Sequence, residues 1–455
     1  MTSLHPPTPY LSRPTPPAGA PPPPPATPLP PPSAAALAGP AELPIGECAA
    51  LIGLDWGDQR HAIALWARAT GQVETRELPH SAESVHAWLD QLKIRFGGER
   101  VGVAVEASKG AIVAALLEPP WLLIYPVHPA TSRRFSTAFT PSGAKGDGPD
   151  AQTLLEILRG HRGKLRALLA HDPETRRLGL LAEARRKLVD DRTFLSNQLT
   201  SLLKGYYPQA LALTGDKRYA PLALAFVEKW PAVELLQRAK PETVRRFYQV
   251  HQVRRPAVIK ERLALIAAAR PLTTDRGLCE VSQLQLHRLV AELRVLARHL
   301  TALEEKRAEV FAAHPEAALF RSLPGAGAAM APRLSVLFGT DRARWLNPGE
   351  LQTYYGIAPV TEQSGGHKRV HWRWSAPLFA RQTLVEWTGQ SVKYSRWAKA
   401  YYLQQKARQK PHSTIIRSLA FKWLRILWRC WQDRQPYDEA RYLAALEKRN
   451  PTLFA

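Results

Sequence analysis

The sequence predicts a mixed α/β domain followed by a long helical region and a mainly helical C-terminal domain. Three observations predict it. Short β-rich runs separated by turns give way to alternating helices and strands between residues 47 and 168. Leucines then recur at helical spacing from 286 to 303, and from 318 onward the chain is basic, aromatic and amphipathic.

Residues 1–46 are dominated by Pro, Ala, Thr and Ser, a composition that favours solvated extended chain and cannot bury a core, so a disordered tail is expected. In the segment 47–168, AALIGLDWG reads as an apolar strand, RHAIALWAR as an alternating second strand and QVETRELP as a third. A helix follows at SAESVHAWLDQL, capped by Ser81 and carrying Val85, Trp88 and Leu92 on one side. The strand VGVAVEAS, a helix around GAIVAALLEP, the strand WLLIYPVHP and a helix DAQTLLEILRGHRG complete the segment. Three consecutive strands and then alternating helix and strand is the order of an α/β ribonuclease H-like domain. A doubly wound nucleotide-binding fold fits less well, because no Gly-rich phosphate loop follows the first strand.

Residues 169–317 read as a helical coiled-coil or oligomerisation region. Leu286, Leu289, Leu293, Leu296, Leu300 and Leu303 form an apolar stripe that must be covered, either by a hairpin with the earlier helix EARRKLVDDRTFLSNQLTSLLKGYYP or by a second subunit. Residues 318–435 contain LPGAGAAMAPRL, the polar loop PVTEQSGGHKRVHWRW and the amphipathic helix PHSTIIRSLAFKWLRILWRCW, and 436–455 read as a C-terminal tail.

Of 455 residues, 62 are Lys or Arg and 39 Asp or Glu, a formal charge of +23 that points to a polyanionic partner; the alternative is a basic protein kept soluble by its charge. Cys48, Cys279 and Cys430 are far apart and form no CxxC pair, so neither a zinc site nor a disulfide framework is indicated. No stretch offers a membrane span, and neither a basic leader nor an apolar signal region opens the chain, so a cytoplasmic protein is expected.

Four acidic residues fall where chemistry could gather them. Asp55 ends the first predicted strand and Glu106 the fourth, which are neighbours in a ribonuclease H-like sheet; Asp147 and Asp150, three apart, open the last helix. Each alone could be a turn or cap residue. As a set, they would repel one another unless cations neutralised them, and oxygen ligands without His or Cys suit Mg2+, or Mn2+, in a site for phosphodiester chemistry.

LPGAGAAMAPRL is similar to the turn of a helix-hairpin-helix, in which Gly325 and Gly327 would let the backbone approach a DNA phosphate; a tight turn between packed helices is the other reading. Ser364 is followed by Gly365 and Gly366, with His367, Lys368, Arg369, His371 and Arg373 to hold a phosphate. No local Asp or His spacing supplies a triad, so by spacing alone Ser364 reads as a turn residue rather than a nucleophile. Trp372, Trp374, Tyr394, Trp397, Tyr401 and Tyr402 are interleaved with Lys393, Arg396, Lys406, Arg408 and Lys410. That mixture suits stacking on bases with phosphate neutralisation, although half of these rings are equally suited to a core.

From about 50 to 435 the chain resembles the DEDD transposases of the insertion sequence one-ten family, also described as bridge-RNA-guided recombinases. The resemblance rests on GLDWG, VAVEAS, the Lys-Gly-Asp-x-x-Asp-Ala element at 145–151, EARRKLVDDRTFLSNQLTSLLKGYYP, LPGAGAAMAPRLSVLFG, YYGIAPVTEQSGG and QKARQKPH, in that order. It implies a RuvC-like domain with Asp55, Glu106, Asp147 and Asp150 as metal ligands, and Ser364 as a nucleophile that becomes covalently linked to DNA. It also implies donor and target DNA as substrates, a structured non-coding RNA as guide, and a dimer or tetramer in which the serine domain of one subunit meets the metal site of another. The Pro-rich tail has no counterpart there, and WSAPLFARQTL departs from the family's Ser-Lys-x-Gly-Asn pattern. Two rival readings are a metal-dependent nuclease with water as nucleophile, which leaves the serine domain unexplained, and a non-catalytic nucleic-acid-binding scaffold.

Overall fold

The computed structural model describes residues 48–107, 109–139, 146–168 and 171–449, with the Asp147 and Arg449 side chains outside that description. The expected tail 1–46 and Lys145 of the Lys-Gly-Asp element also lie outside it.

The α/β domain is built on a five-stranded sheet. Its strands are β1 (Ala50–Trp56), β2 (Arg60–Ala67), β3 (Val73–Pro79), β4 (Val101–Val105) and β5 (Leu122–Pro126), in spatial order β3-β2-β1-β4-β5. The first three pair antiparallel as hairpins, while β1–β4 and β4–β5 are parallel and are joined by helical crossovers, as parallel strands require. Alternation along β1 sorts its side chains. Ala50, Ile52 and Leu54 enter one core with Val85, Trp88, Leu89 and Leu92 of α1 (Ala82–Arg95) and Ile112, Val113 and Leu116 of α2 (Ala111–Leu116). Leu51 faces the other way, into a core with Ala151, Leu154, Leu155 and Leu158 of α4 (Asp147–His161). Ser81 caps α1 as expected, accepting from the Ser84 amide at 3.1 Å. One helix was not expected from the sequence, α3 (Pro129–Phe139); its segment PATSRRFSTAF lacks a sustained apolar period, and only Phe135 joins the core beneath α4.

Two long helices carry the next region, α5 (Pro173–Tyr206) and α11 (Arg276–Ala313). Both have an Asp N-cap, Asp172 accepting from the Thr175 amide at 2.9 Å and Asp275 from that of Leu278 at 2.6 Å. They pack against each other within the chain, so the intramolecular hairpin is the cover found for Leu286, Leu289, Leu293 and Leu300, all buried. One end of this hairpin, with α6 (Gln209–Thr214), α7 (Pro221–Lys229), α8 (Val233–Gln237), α9 (Pro241–Val250) and α10 (Pro256–Ala268), encloses a separate core around Tyr207, Phe226, Trp230, Phe247 and Tyr248.

The other end enters the C-terminal core through Leu178, Val310 and Phe311. That core contains α12 (Ala317–Arg321), α13 (Gly327–Phe338), α14 (Pro348–Tyr354), α15 (Leu378–Tyr394), α16 (Arg396–Ala407) and α17 (His412–Gln432). The segment 436–455, read from sequence as a tail, contributes α18 (Glu439–Arg449), whose Tyr442, Leu443 and Leu446 pack on this core. Among the described residues no helix is long and apolar enough to cross a membrane.

Candidate nuclease centre and serine hairpin

Strand register brings two of the acidic residues together. Gly53 pairs with Ala104 and Leu54 with Val105 across β1 and β4, so Asp55, still on β1, and Glu106, the first residue beyond β4, stand at the next level of the sheet. Both point to the α4 side. Gly53, two residues before Asp55, lies so close to that helix that a Cβ on it would sit 2.0 Å from the Ala151 carbonyl oxygen and 2.5 Å from the Leu155 nitrogen. Ala104, two residues before Glu106, is buried in the α4 core. The glycine of GLDWG therefore seats the first turns of α4 directly on β1, and those turns carry Asp147 and Asp150. Asp150, in the first turn, also lies at the positive end of the helix dipole.

Asp55 and Asp150 are half-buried and Glu106 is exposed. Ser132 of α3, a partner that sequence reasoning missed, donates from Oγ to Glu106 Oε1. Its only signal was a position in a helix with no apolar period. Among the described residues no three His, Cys, Asp or Glu side chains are gathered closely enough to hold a metal ion, and the Asp147 side chain is outside the described set. Asp55, Glu106 and Asp150 thus stand at one sheet end without forming a closed ligand sphere, and their carboxylate oxygens are donors of the type a divalent cation takes.

Behind this end, on the opposite face of the sheet, His61 is fully buried. Its ring stacks on Trp56 with centroids 3.7 Å apart, and its Nε2 is 3.1 Å from Nδ1 of His80. Burial, and then the His80 charge, lowers the His61 pKa.

The segment expected as a polar loop is instead a β-hairpin, β6 (Val360–Ser364) and β7 (His367–His371). Two glycines between two β-prone runs were the available signal: Gly365 takes φ +55° and lets the chain reverse in two residues. Ser364 pairs with His367, Glu362 with Arg369 and Val360 with His371. Alternation places Glu362, Ser364, His367, Arg369 and His371 on one face, and Gln363, Lys368 and Val370 on the other. Apart from the half-buried Val360 and His371, the hairpin is exposed throughout. His371 Nδ1 lies 2.8 Å from the Trp372 carbonyl and Nε2 2.9 Å from Glu362 Oε1. These two acceptors, the carbonyl first, raise its pKa and favour the imidazolium.

The segment after β7 anchors the hairpin. The Trp372 ring is in contact with the guanidinium groups of Arg381 and Arg417, at 5.2 and 4.2 Å from its centre, and Arg381 Nη1 donates to the Arg373 carbonyl at 2.8 Å. Gly356, at φ +67°, lets this segment pass, since a Cβ there would lie 2.6 Å from that of Ala376.

Other expected residues separate into two kinds. Gly325 is packed: a Cβ on it would lie 2.9 Å from the Tyr394 ring and 3.1 Å from the Gln390 carbonyl carbon of α15. Gly327 opens α13 facing open space. Trp397 is core, 4.6 Å from the Trp423 ring, with Nε1 donating to Tyr437 Oη. Trp374 and Tyr394 are 76% and 68% exposed. Lys368, Arg369, Lys393, Arg396, Lys406, Arg408 and Lys410 are exposed, and Arg373 is half-buried.

Comparison with known proteins agrees with this arrangement. The model for DEDD transposases of IS110 elements, described as "Transposase", matches residues 52–208. A second, described as "Transposase IS116/IS110/IS902 family", matches 317–403. The two stretches together make up more than half of the chain. Among similar proteins is the candidate transposase of the IS117 mini-circle from Streptomyces coelicolor, 26% identical over 87% of this chain and 96% of the relative. The 43.6 kDa protein of insertion element IS110 from the same organism is 25% identical over 87% and 97%. The 44.8 kDa protein of IS116 from Streptomyces clavuligerus is 27% identical over 86% and 96%. With both regions matched in order, and relatives aligned over nearly their whole length, the chain belongs to the IS110/IS116 family of transposases.

Proposed function

We propose that this transposase exchanges DNA strands by cleavage and rejoining through a covalent serine intermediate. Ser364 Oγ attacks a phosphodiester; the Oγ–P bond forms as the bond to the leaving deoxyribose oxygen breaks, and the proton lost from the serine hydroxyl ends on that oxygen. The reverse attack, by the hydroxyl of a different strand, rejoins DNA and frees the serine, so no net hydrolysis occurs and no nucleotide cofactor is needed. Asp55, Glu106, Asp147 and Asp150 would hold Mg2+ or Mn2+, which would supply neutralisation of the charge that develops in phosphodiester cleavage. Arg369 shares the Ser364 face with the His367 and His371 rings and supplies a cation to a phosphate held there.

The observation that carries this reading is the seating of α4 on Gly53, beside the Asp55–Glu106 register, in a chain whose second matched region includes an exposed serine hairpin. Gly327, Lys368, Arg373, Lys393, Arg396, Lys406, Arg408 and Lys410 are proposed to hold nucleic-acid backbone, and Gly325 to shape the turn beside it. The family resemblance extends the proposal to a structured guide RNA and to a homo-oligomer.

The test is to combine the purified protein with RNA transcribed from the DNA flanking its gene, donor and target duplexes and magnesium, and to look for protein–DNA adducts on a denaturing gel. An adduct with wild type, lost in Ser364→Ala, in Asp55→Ala and on chelation, is expected. Nicked ends without adduct, unaffected by Ser364→Ala, would assign water as the nucleophile.

A further inference from the structure

Neither the acid centre nor the serine hairpin uses the separate core at the far end of the α5–α11 hairpin, and most of it falls between the two stretches matched by the family models. Its surface is nonetheless strongly cationic. Residues 207–275 hold twelve Lys and Arg against six Asp and Glu. Of these acids, Glu228 is engaged by Arg294 of α11, Glu242 by Arg245, and Asp275 caps α11.

Along the chain the positive charge concentrates at one corner, the turn between α9 and α10, where residues 245–262 hold six Lys and Arg against one Glu. α9 ends in a tight turn in which Gln252 takes φ +63°, and α10 begins four residues later. Val244, Phe247 and Tyr248 turn inward, which leaves Arg246 on the outer side of α9, Arg254 and Arg255 in the turn and Lys260 on α10. All four are exposed, and none forms an ion pair among the described residues. Arg254 Nη2 donates to the neutral Gln252 side chain, at 2.8 Å. A face serving solubility alone would interleave such cations with carboxylates; here the acids nearest in the chain are Glu242, already paired, and Glu261.

We infer that the α9–α10 corner is a second docking site for the phosphate backbone of a double-helical nucleic acid, remote from the catalytic regions. Remoteness sets a length requirement. Leu178 lies in the C-terminal core and Leu203 in the distal one, and at 1.5 Å per residue they stand about 37 Å apart along α5. A duplex rising about 3.4 Å per base pair must therefore be about 11 base pairs or longer to touch both ends. Duplex DNA and an RNA stem share the chemistry that such a corner recognises.

The test uses the full chain with Arg246, Arg254, Arg255 and Lys260 all changed to Gln. Because these side chains are exposed, thermal unfolding should match wild type, and a companion with the three arginines changed to Lys should bind as wild type does. Labelled DNA duplexes and RNA hairpins with stems of about 8 and about 24 base pairs are titrated over a range of KCl concentrations. Wild type should bind the longer probe of at least one kind at least about tenfold tighter than the shorter. The Gln variant should lose that preference, and its salt slope should fall by about 2 to 4, for up to four phosphate contacts at about 0.9 each. Loss with DNA alone, RNA alone or both assigns the docked duplex. A variant that keeps the length preference and salt slope of wild type with both kinds of probe overturns the inference.

Discussion

Replacing Gly53 by Ala adds one methyl group where the structure has no room for it. The new Cβ would lie 2.0 Å from the Ala151 carbonyl oxygen and 2.5 Å from the Leu155 nitrogen. Both are backbone atoms of a helix and cannot rotate away, so α4 would have to retreat by about 1 Å or more to restore van der Waals separation. Overpacking of this kind costs about 1–3 kcal/mol, and the retreat carries Asp147 and Asp150 away from Asp55 and Glu106. A 1 Å misplacement of catalytic groups costs about 100-fold in rate, so DNA adduct formation should fall by roughly that factor while DNA binding persists. Gly102→Ala is the matched control. It lies on β4, on the same face, but its Cβ would meet the ends of the Leu51, Tyr125 and Leu158 side chains at 2.9, 3.5 and 3.6 Å, which can shift. Adduct formation and thermal unfolding are measured for both variants. If Gly53→Ala matches wild type in each, α4 is not seated by that glycine and the account of the acid centre fails.

The same geometry sets three more outcomes. Arg369 shares the Ser364 face of the hairpin and Lys368 does not, so Arg369→Ala should reduce adduct formation about tenfold or more, and Lys368→Ala by less than about threefold, read on the same denaturing gel; equal effects would contradict the face assignment. His171 has its pKa pushed down to about 3, first by burial and then by Arg344. A depressed folded pKa contributes stability that is present above the unfolded value near 6.5 and lost as pH falls toward 3. Thermal unfolding should therefore decline below pH 6.5, by about 2–4 kcal/mol from this group once its partial exposure is discounted, and His171→Gln should flatten the decline. Finally, Arg342 Nη2 meets Glu316 Oε2 at 2.9 Å, both side chains nearly buried. Glu316→Ala, which removes the counter-charge and leaves that guanidinium only the Trp431 and Thr340 carbonyls, should destabilise the C-terminal core by about 3–5 kcal/mol in urea unfolding, whereas the double change Glu316→Leu with Arg342→Met should recover much of the loss.

Elements whose cause is local were legible in the amino-acid sequence. Period-2 and period-3.6 apolar patterns marked β1 to β5, α1, α5 and α11, and side-chain caps such as Ser81 marked where helices begin. The candidate acids were legible too, because Asp55 and Glu106 lie at the C-terminal ends of two strands that the fold places side by side. Spacing could not decide which elements touch. That α5 covers the leucine stripe of α11, that Gly325 is held against α15 while Gly327 is open, and that Trp397 is core while Trp374 and Tyr394 are exposed, all depend on contacts between residues far apart in the chain. The serine segment lay between these cases. Its Gly-Gly turn was legible, but its polar residues hid the strands, because a hairpin exposed on both faces carries no alternation of apolar and polar residues. Only the paired register decides which cations stand on the serine's side, since that depends on a partner strand and a reading of one strand alone has none.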